Sequence, residues 1–66
     1  MVKVYTIQLH DPLGKLNRQW VERSTSTLKL SHKDGLVMVL NASFEVVFVA
    51  AKGWQLILLD EGVRES

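Results

Sequence analysis

Residues 36–59 read LVMVLNASFEVVFVAAKGWQLILL, and this stretch decides the fold. Two turn-like breaks divide it into three apolar runs, which cover residues 36–40, 46–51 and 56–59. Short apolar runs punctuated in this way predict three up-and-down β-strands. None of them reaches the ~18–20 residues that a transmembrane helix needs, so we expect no membrane partner.

The segment before this stretch predicts a β-hairpin. Residues 2–10 carry Tyr5, Ile7 and Leu9 at alternating positions and are rich in β-branched and aromatic side chains, which favours a strand. The sequence Asp-Pro-Leu-Gly follows at residues 11–14. Aspartate accepts backbone hydrogen bonds at the first position of a turn, proline presets φ at the second, and glycine accepts the positive φ that follows. This order predicts a type I turn that closes the hairpin through a glycine bulge.

Two segments fit either a strand or a short helix. Residues 15–23 should return from the turn as a strand, although Leu16 and Trp20 also share a helical face. Residues 44–52 have a serine before them and a glycine after them, which suit the two ends of a helix. The hairpin turn favours a strand for the first segment. The β-branched and aromatic run at residues 46–49 favours a strand for the second, because such residues have poor helix propensity.

The whole pattern predicts a mainly β protein: a small antiparallel barrel or half-open sheet of five to six short strands, with at most one short helix. Turn signals recur about every 8–12 residues, as is typical of small all-β domains. The chain is comparable with SH3-like barrels in length and turn spacing only, and it contains no family motif. We expect a single domain over residues 1–60, followed by a polar, flexible C-terminal tail at residues 61–66.

The small size of the chain limits its core. It has 66 residues, of which 47% are hydrophobic, and no cysteine. A chain of this length buries only ~60% of the surface that its unfolded form exposes. Without cysteine, a disulfide cannot add stability. The composition therefore indicates an unusually apolar core, a second subunit, or both.

Within residues 36–59, the predicted strands carry apolar side chains on both faces. In a single-layer sheet with one face in water, apolar and polar residues should alternate. The second apolar face is formed by Val47, Val49, Ile57 and Leu59. We expect these four residues to form the interface of a homodimer or larger oligomer, unless residues 15–23 cover that face as a helix.

Positive charge is concentrated in the first half of the chain. Residues 1–35 hold six lysines and arginines against three acidic residues, a net charge of +3, whereas the whole chain carries +1. With Tyr5, His10 and Trp20 as stacking surfaces, this asymmetry supports an alternative function as a nucleic-acid-binding β-barrel. Against it, Glu22 lies close to Trp20, and no strand carries the basic and aromatic motif of RNA-binding sheets.

Four side chains are candidates for binding a protein partner: Tyr5, Arg18, Trp20 and Arg23. Tryptophan, tyrosine and arginine are enriched at the energetic centres of interfaces. We expect Trp20 to be partly exposed, because it lies between the charged residues Arg18 and Glu22. Trp54 heads an apolar strand, and we expect it to be buried at one end of the core.

No pattern typical of an enzyme is present. The glycines are dispersed at residues 14, 35, 53 and 62, which excludes a glycine-rich phosphate loop. His10 and His32 each lie near an aspartate, but beside predicted turns, where aspartate is expected for turn reasons. A chain this small also has little room for a pocket of ~300 Å³. We therefore expect no catalytic residues, no metal ion and no cofactor.

The first residues alternate from the start and show no secretory leader, so we expect a cytoplasmic protein. Together these observations predict a non-enzymatic, small interaction module that acts as a homo-oligomer and binds a protein partner.

Overall fold

The computed structural model describes residues 1–64, and these form six antiparallel β-strands without a helix. The strands are β1 Val2–His10, β2 Leu16–Ser24, β3 Lys29–Lys33, β4 Leu36–Leu40, β5 Val46–Ala50 and β6 Gln55–Arg64. The predicted mainly β fold is confirmed. Both ambiguous segments are strands, β2 and β5, as the turn chemistry and the β-branched run favoured.

The strands form two three-stranded sheets. The first sheet has the order β2-β1-β6 and the second has the order β3-β4-β5. Both sheets contribute side chains to one core, so they pack face to face as a thin slab whose Cα atoms span 37 × 23 × 11 Å. Over the part of the chain that the structure describes, the sheets do not close into a barrel, and the half-open form is the correct one of the two predicted architectures.

The predicted turn at residues 11–14 connects β1 to β2. The Gly14 N–H donates to the Asp11 carbonyl oxygen at 2.9 Å, and the Asp11 N–H donates to the Lys15 carbonyl oxygen at 2.8 Å. The Asp11 carboxylate also accepts the N–H groups of Leu13 and Lys15, each at 2.9 Å. Gly14 has a φ of +89°, which a β-carbon would disfavour. The type I turn with its glycine bulge is confirmed.

Three connections lie at the same end of the slab, because the strands alternate in direction. One is the turn at residues 11–14. The second is a two-residue hairpin loop between β3 and β4, where Asp34 and Gly35 both have positive φ, as a type I′ turn requires. The third joins β5 to β6 through a bond from the Trp54 N–H to the Ala51 carbonyl oxygen at 3.1 Å. This third connection carries the chain from the second sheet to the first.

The core lies between the inner faces of the two sheets. Its buried side chains are Tyr5, Ile7, Leu28, Val37, Val39, Ala50 and Leu56. The predicted alternation of β1 is confirmed, since Tyr5 and Ile7 are buried and Leu9 packs against them. Leu28 belongs to the crossover from β2 to β3, and its N–H donates to the Tyr5 hydroxyl at 3.1 Å. This buried bond ties the crossover to the first sheet.

One expectation about the last strands is corrected. The three strands of residues 36–59 do not share one sheet, because β6 pairs with β1 rather than with β5. β6 also continues to Arg64, so the strand passes the domain boundary expected at residue 60. Residues 65–66 of the predicted tail lie outside the described part. Nowhere in residues 1–64 is there a helix of the length and apolar character needed to span a bilayer.

Candidate interaction surfaces

The four residues of the predicted interface do not form one surface. Val47 and Val49 lie on β5, on the side of the second sheet that faces away from the core. Ile57 and Leu59 lie on β6, opposite Gln8 and Thr6 of β1, on the outer side of the first sheet. All four are exposed, between 38% and 45%. The expectation of one shared face is therefore wrong, because it assumed that β5 and β6 belong to one sheet.

The outer side of the second sheet is apolar over its two neighbouring strands, and we name it the β4–β5 face. It consists of Leu36, Met38, Leu40, Val46, Val47 and Val49. Leu36, Met38 and Leu40 alternate with the buried Val37 and Val39, which sets them outward. Neither β4 nor β5 carries a charged residue. On this side, β3 contributes Lys29 and Lys33, which flank the apolar strands.

The outer side of the first sheet is mixed in character. Val21, Ile57 and Leu59 are exposed there, but they alternate with polar groups from β1 and β2. The Gln8 side chain donates to Gln19 at 2.8 Å and lies 3.3 Å from an imidazole nitrogen of His10. A sheet face with satisfied polar side chains of this kind is suited to water.

The described part of the chain exposes more hydrophobic side chains than it buries. Seven hydrophobic residues are buried, whereas ten large hydrophobic residues of the described chain are exposed. Four of these ten are Phe44, Val46, Val47 and Val49, which belong to β5 and the turn before it. Single exposed apolar residues are common on protein surfaces, but a contiguous group is a marker of an interaction site.

The residues predicted to bind a protein partner are dispersed. Tyr5 is only 2% exposed and its hydroxyl is engaged by Leu28, so its assignment to partner binding is corrected to a core role. Arg18 and Trp20 share the inner side of β2, since they pair with Leu9 and Ile7. Arg23 pairs with Val4 and therefore lies on the opposite side of the sheet. The four residues do not form one patch.

Trp20 is half-buried, and its ring is already in contact with other side chains. It lies edge-to-face with Phe48 at 4.9 Å between ring centroids, which links β2 to β5. The Arg18 guanidinium lies 4.7 Å from the ring centroid, and the indole N–H donates to Glu22 at 3.3 Å. Partial exposure of Trp20 is confirmed. The contacts with Phe48 and Arg18 leave little of the ring for stacking on a base.

Trp54 is half-buried rather than buried, and it packs against the core from the end of the slab. It borders a cleft of ≈ 440 Å³ between β3 and β6, whose other lining residues are Leu30, His32, Gly35, Val37, Gly53, Gln55, Leu56 and Ile57. The chain therefore has more room for a pocket than its length suggested. β3 and β6 are each an edge strand of their sheet.

The histidine and aspartate pairs of the two hairpin turns lie at the same end of the slab, where a shared metal site was conceivable. No group of three or more histidine, aspartate or glutamate side chains suited to a metal ion occurs within residues 1–64. His10 instead contacts Gln8 and the Gly14 carbonyl oxygen. The absence of an enzymatic activity stays a prediction.

Phe44 was not among the residues predicted to form a site. It lies in the turn between β4 and β5, is 71% exposed, and has a φ of +62°. A signal was available in the sequence, because residues 41–45 repeat the spacing of the turn at residues 11–15, with Phe44 where the first turn has Gly14. The Lys29 Nζ lies 5.0 Å from the centroid of the Phe44 ring.

No protein-family model, no curated protein and no solved structure matches this chain. Fold alone does not determine function, which depends on the surfaces that the fold presents.

Proposed function

We propose that this protein is a non-enzymatic interaction module that self-associates, as a homodimer or larger, through the β4–β5 face. The observation that supports this most is the group of exposed apolar side chains at Phe44, Val46, Val47 and Val49, next to a strand with no charge. Of the four residues of the predicted interface, Val47 and Val49 remain in the proposed interface. Ile57 and Leu59 are assigned to the other side of the slab, where polar neighbours surround them.

A second copy of the chain is the occupant that best suits this face. Two uncharged β4–β5 faces can pack against each other about a two-fold axis without placing like charges opposite each other in the middle of the contact. Stacked sheets pack ~10 Å apart with interdigitated side chains. β4 and β5 have five residues each, so the β4–β5 face spans roughly 17 × 10 Å, and a stable interface, which takes about 800 Å² from each partner, would also include β3 and the turn at residues 41–45. Among the residues that the structure describes, seven hydrophobic side chains are buried in the core, and such a small core would also gain from burial at an interface.

The test compares two matched lysine substitutions. Val49→Lys places a charge on the β4–β5 face, and Leu59→Lys places one on the outer side of the first sheet. The two positions are 45% and 42% exposed, so a monomer should tolerate both, with the lysine amine reaching water. In a dimer joined through the β4–β5 face, Val49→Lys buries an unpaired charge, which should cost about 3 kcal/mol and raise the Kd about 100-fold.

Sedimentation equilibrium across a concentration series measures the result. We expect a dimer or larger for the wild-type chain and for Leu59→Lys, and a monomer for Val49→Lys. A wild-type monomer at every concentration would refute self-association. Dissociation by Leu59→Lys instead would show that the other side of the slab is the interface.

Three further expectations stay predictions. A protein partner for the oligomer is expected, with no surface assigned to it. The nucleic-acid alternative has lost Tyr5 as a stacking surface and much of Trp20, so we do not favour it; nucleic acid co-purifying with the protein in a salt-dependent manner would revive it. A cytoplasmic location is testable by cell fractionation.

A further inference from the structure

Two turns of this protein have the same hydrogen-bond pattern. In the turn at residues 41–45, the Phe44 N–H donates to the Asn41 carbonyl oxygen at 3.0 Å, and the Asn41 N–H donates to the Glu45 carbonyl oxygen at 3.1 Å. The Asn41 side-chain oxygen accepts the N–H groups of Ser43 and Glu45, at 2.9 and 3.0 Å. The turn at residues 11–15 forms the same four bonds around Asp11. The two turns therefore provide an internal comparison.

They differ in the residue at the fourth position. The first turn has Gly14 at a φ of +89°, and the second has Phe44 at a φ of +62°. Glycine adopts positive φ readily because it lacks a β-carbon, whereas a bulky aromatic residue is strained there. Strain of this kind is found where the side chain has a role that offsets it. The core does not supply that role, because Phe44 is 71% exposed.

The position of the ring is set by its contact with Lys29. Lys29 pairs with Leu40, and both lie on the outer side of the second sheet. The Lys29 Nζ lies 5.0 Å from the centroid of the Phe44 ring, within the range of a cation–π contact. The ring therefore lies on the same side of the sheet as Val47 and Val49, at the end of the β4–β5 face.

We propose that Phe44 is an anchor of the interface with the second copy of the chain, held by the strained turn at the end of the β4–β5 face. This inference rests on the proposed self-association. It adds a residue that lowers the stability of its own chain through backbone strain and strengthens the association of two chains. Aromatic anchors that fill a partner surface commonly supply much of the binding free energy. Backbone strain at a side chain this exposed points to a role beyond the fold of its own chain.

The test is Phe44→Gly, which makes the second turn match the first. Folding is measured by urea unfolding in the Val49→Lys background, so that association does not contribute. Removing the strain should lower the ratio of unfolded to folded chain about fivefold. Association is measured by sedimentation of Phe44→Gly with the native Val49, and the Kd should rise at least tenfold. The control is Leu13→Ala, which truncates an 89% exposed side chain in the first turn and should leave the Kd unchanged.

The outcomes separate this inference from the proposed function. A wild-type dimer that Val49→Lys dissociates and Phe44→Gly does not would overturn the role of Phe44 and leave the interface in place. A fall in stability on Phe44→Gly would mean that the Lys29 contact outweighs the strain, so that the ring serves its own chain, which also overturns the inference. A monomeric wild-type chain overturns both proposals together.

Discussion

Removing the Tyr5 hydroxyl should destabilise this protein far more than the loss of one oxygen atom suggests. Tyr5 is 2% exposed, and its hydroxyl accepts the N–H of Leu28, which is itself only 4% exposed. Tyr5→Phe keeps the ring and its packing but leaves the Leu28 N–H buried without a partner. An unsatisfied buried donor costs about 1–3 kcal/mol.

This cost is large relative to the total free energy of unfolding. A domain of this size has a free energy of unfolding on the order of 3–10 kcal/mol. For short domains, each 1 kcal/mol corresponds to a shift of roughly 4–8 °C in Tm. We therefore expect Tyr5→Phe to lower the Tm by about 5–20 °C. Because the proposed oligomer would make stability depend on concentration, wild type and variant must be compared at one concentration.

Urea unfolding followed by circular dichroism is the assay, and the slope of the free energy against urea should be unchanged if only the hydrogen bond is lost. Thr27→Ala is the control, because it removes an exposed bond from the Lys3 Nζ at 2.8 Å in the same crossover, and it should cost less than ~0.5 kcal/mol. A loss below ~0.5 kcal/mol for Tyr5→Phe would refute the reasoning, since it would show that the Leu28 N–H finds water.

Three other substitutions test the first turn and the two tryptophans. Gly14→Val should lower the free energy of unfolding, measured with urea, by more than ~1 kcal/mol. The loss should come from backbone strain alone, because a β-carbon at Gly14 would meet no atom within 4 Å. A neutral result would contradict the observed φ of +89°. Replacing Trp20 or Trp54 with phenylalanine should leave similar, intermediate emission wavelengths from the remaining indole, since both rings are half-buried. Emission typical of a fully shielded Trp54 would instead restore the burial expected from the sequence.

Much of the local structure follows from the sequence because turn chemistry acts over four or five residues. Asp11 and Gly14 are sufficient to predict the first hairpin, and the strand before it was predicted with its observed limits, Val2–His10. The β-branched run at residues 46–49 correctly outweighed the helix-like ends of its segment. The strand itself begins only at Val46, because Phe44 and Glu45 belong to the turn.

The candidate interface could be predicted only in part. Alternation along a strand tells which residues share a side of that strand, so Val47 was correctly grouped with Val49, and Ile57 with Leu59. Side chains alternate along a strand in the same way whichever sheet the strand belongs to. The pattern therefore could not show that the connection after β5 carries the chain into the other sheet. That crossing puts the two pairs on opposite sides of the slab.

Local pattern thus determined the strands, the turns and the overall β class, because each depends on neighbours in sequence. The tertiary structure alone decided which strands pair and which apolar residues are left in water. It bonded the Tyr5 hydroxyl to a backbone N–H 23 residues away, removing Tyr5 from any binding surface. It also set the Phe44 ring beside Lys29 of another strand. These outcomes depend on contacts between segments that are distant in the sequence. They arise because two sheets pack on one core, and no single stretch of the chain specifies that packing.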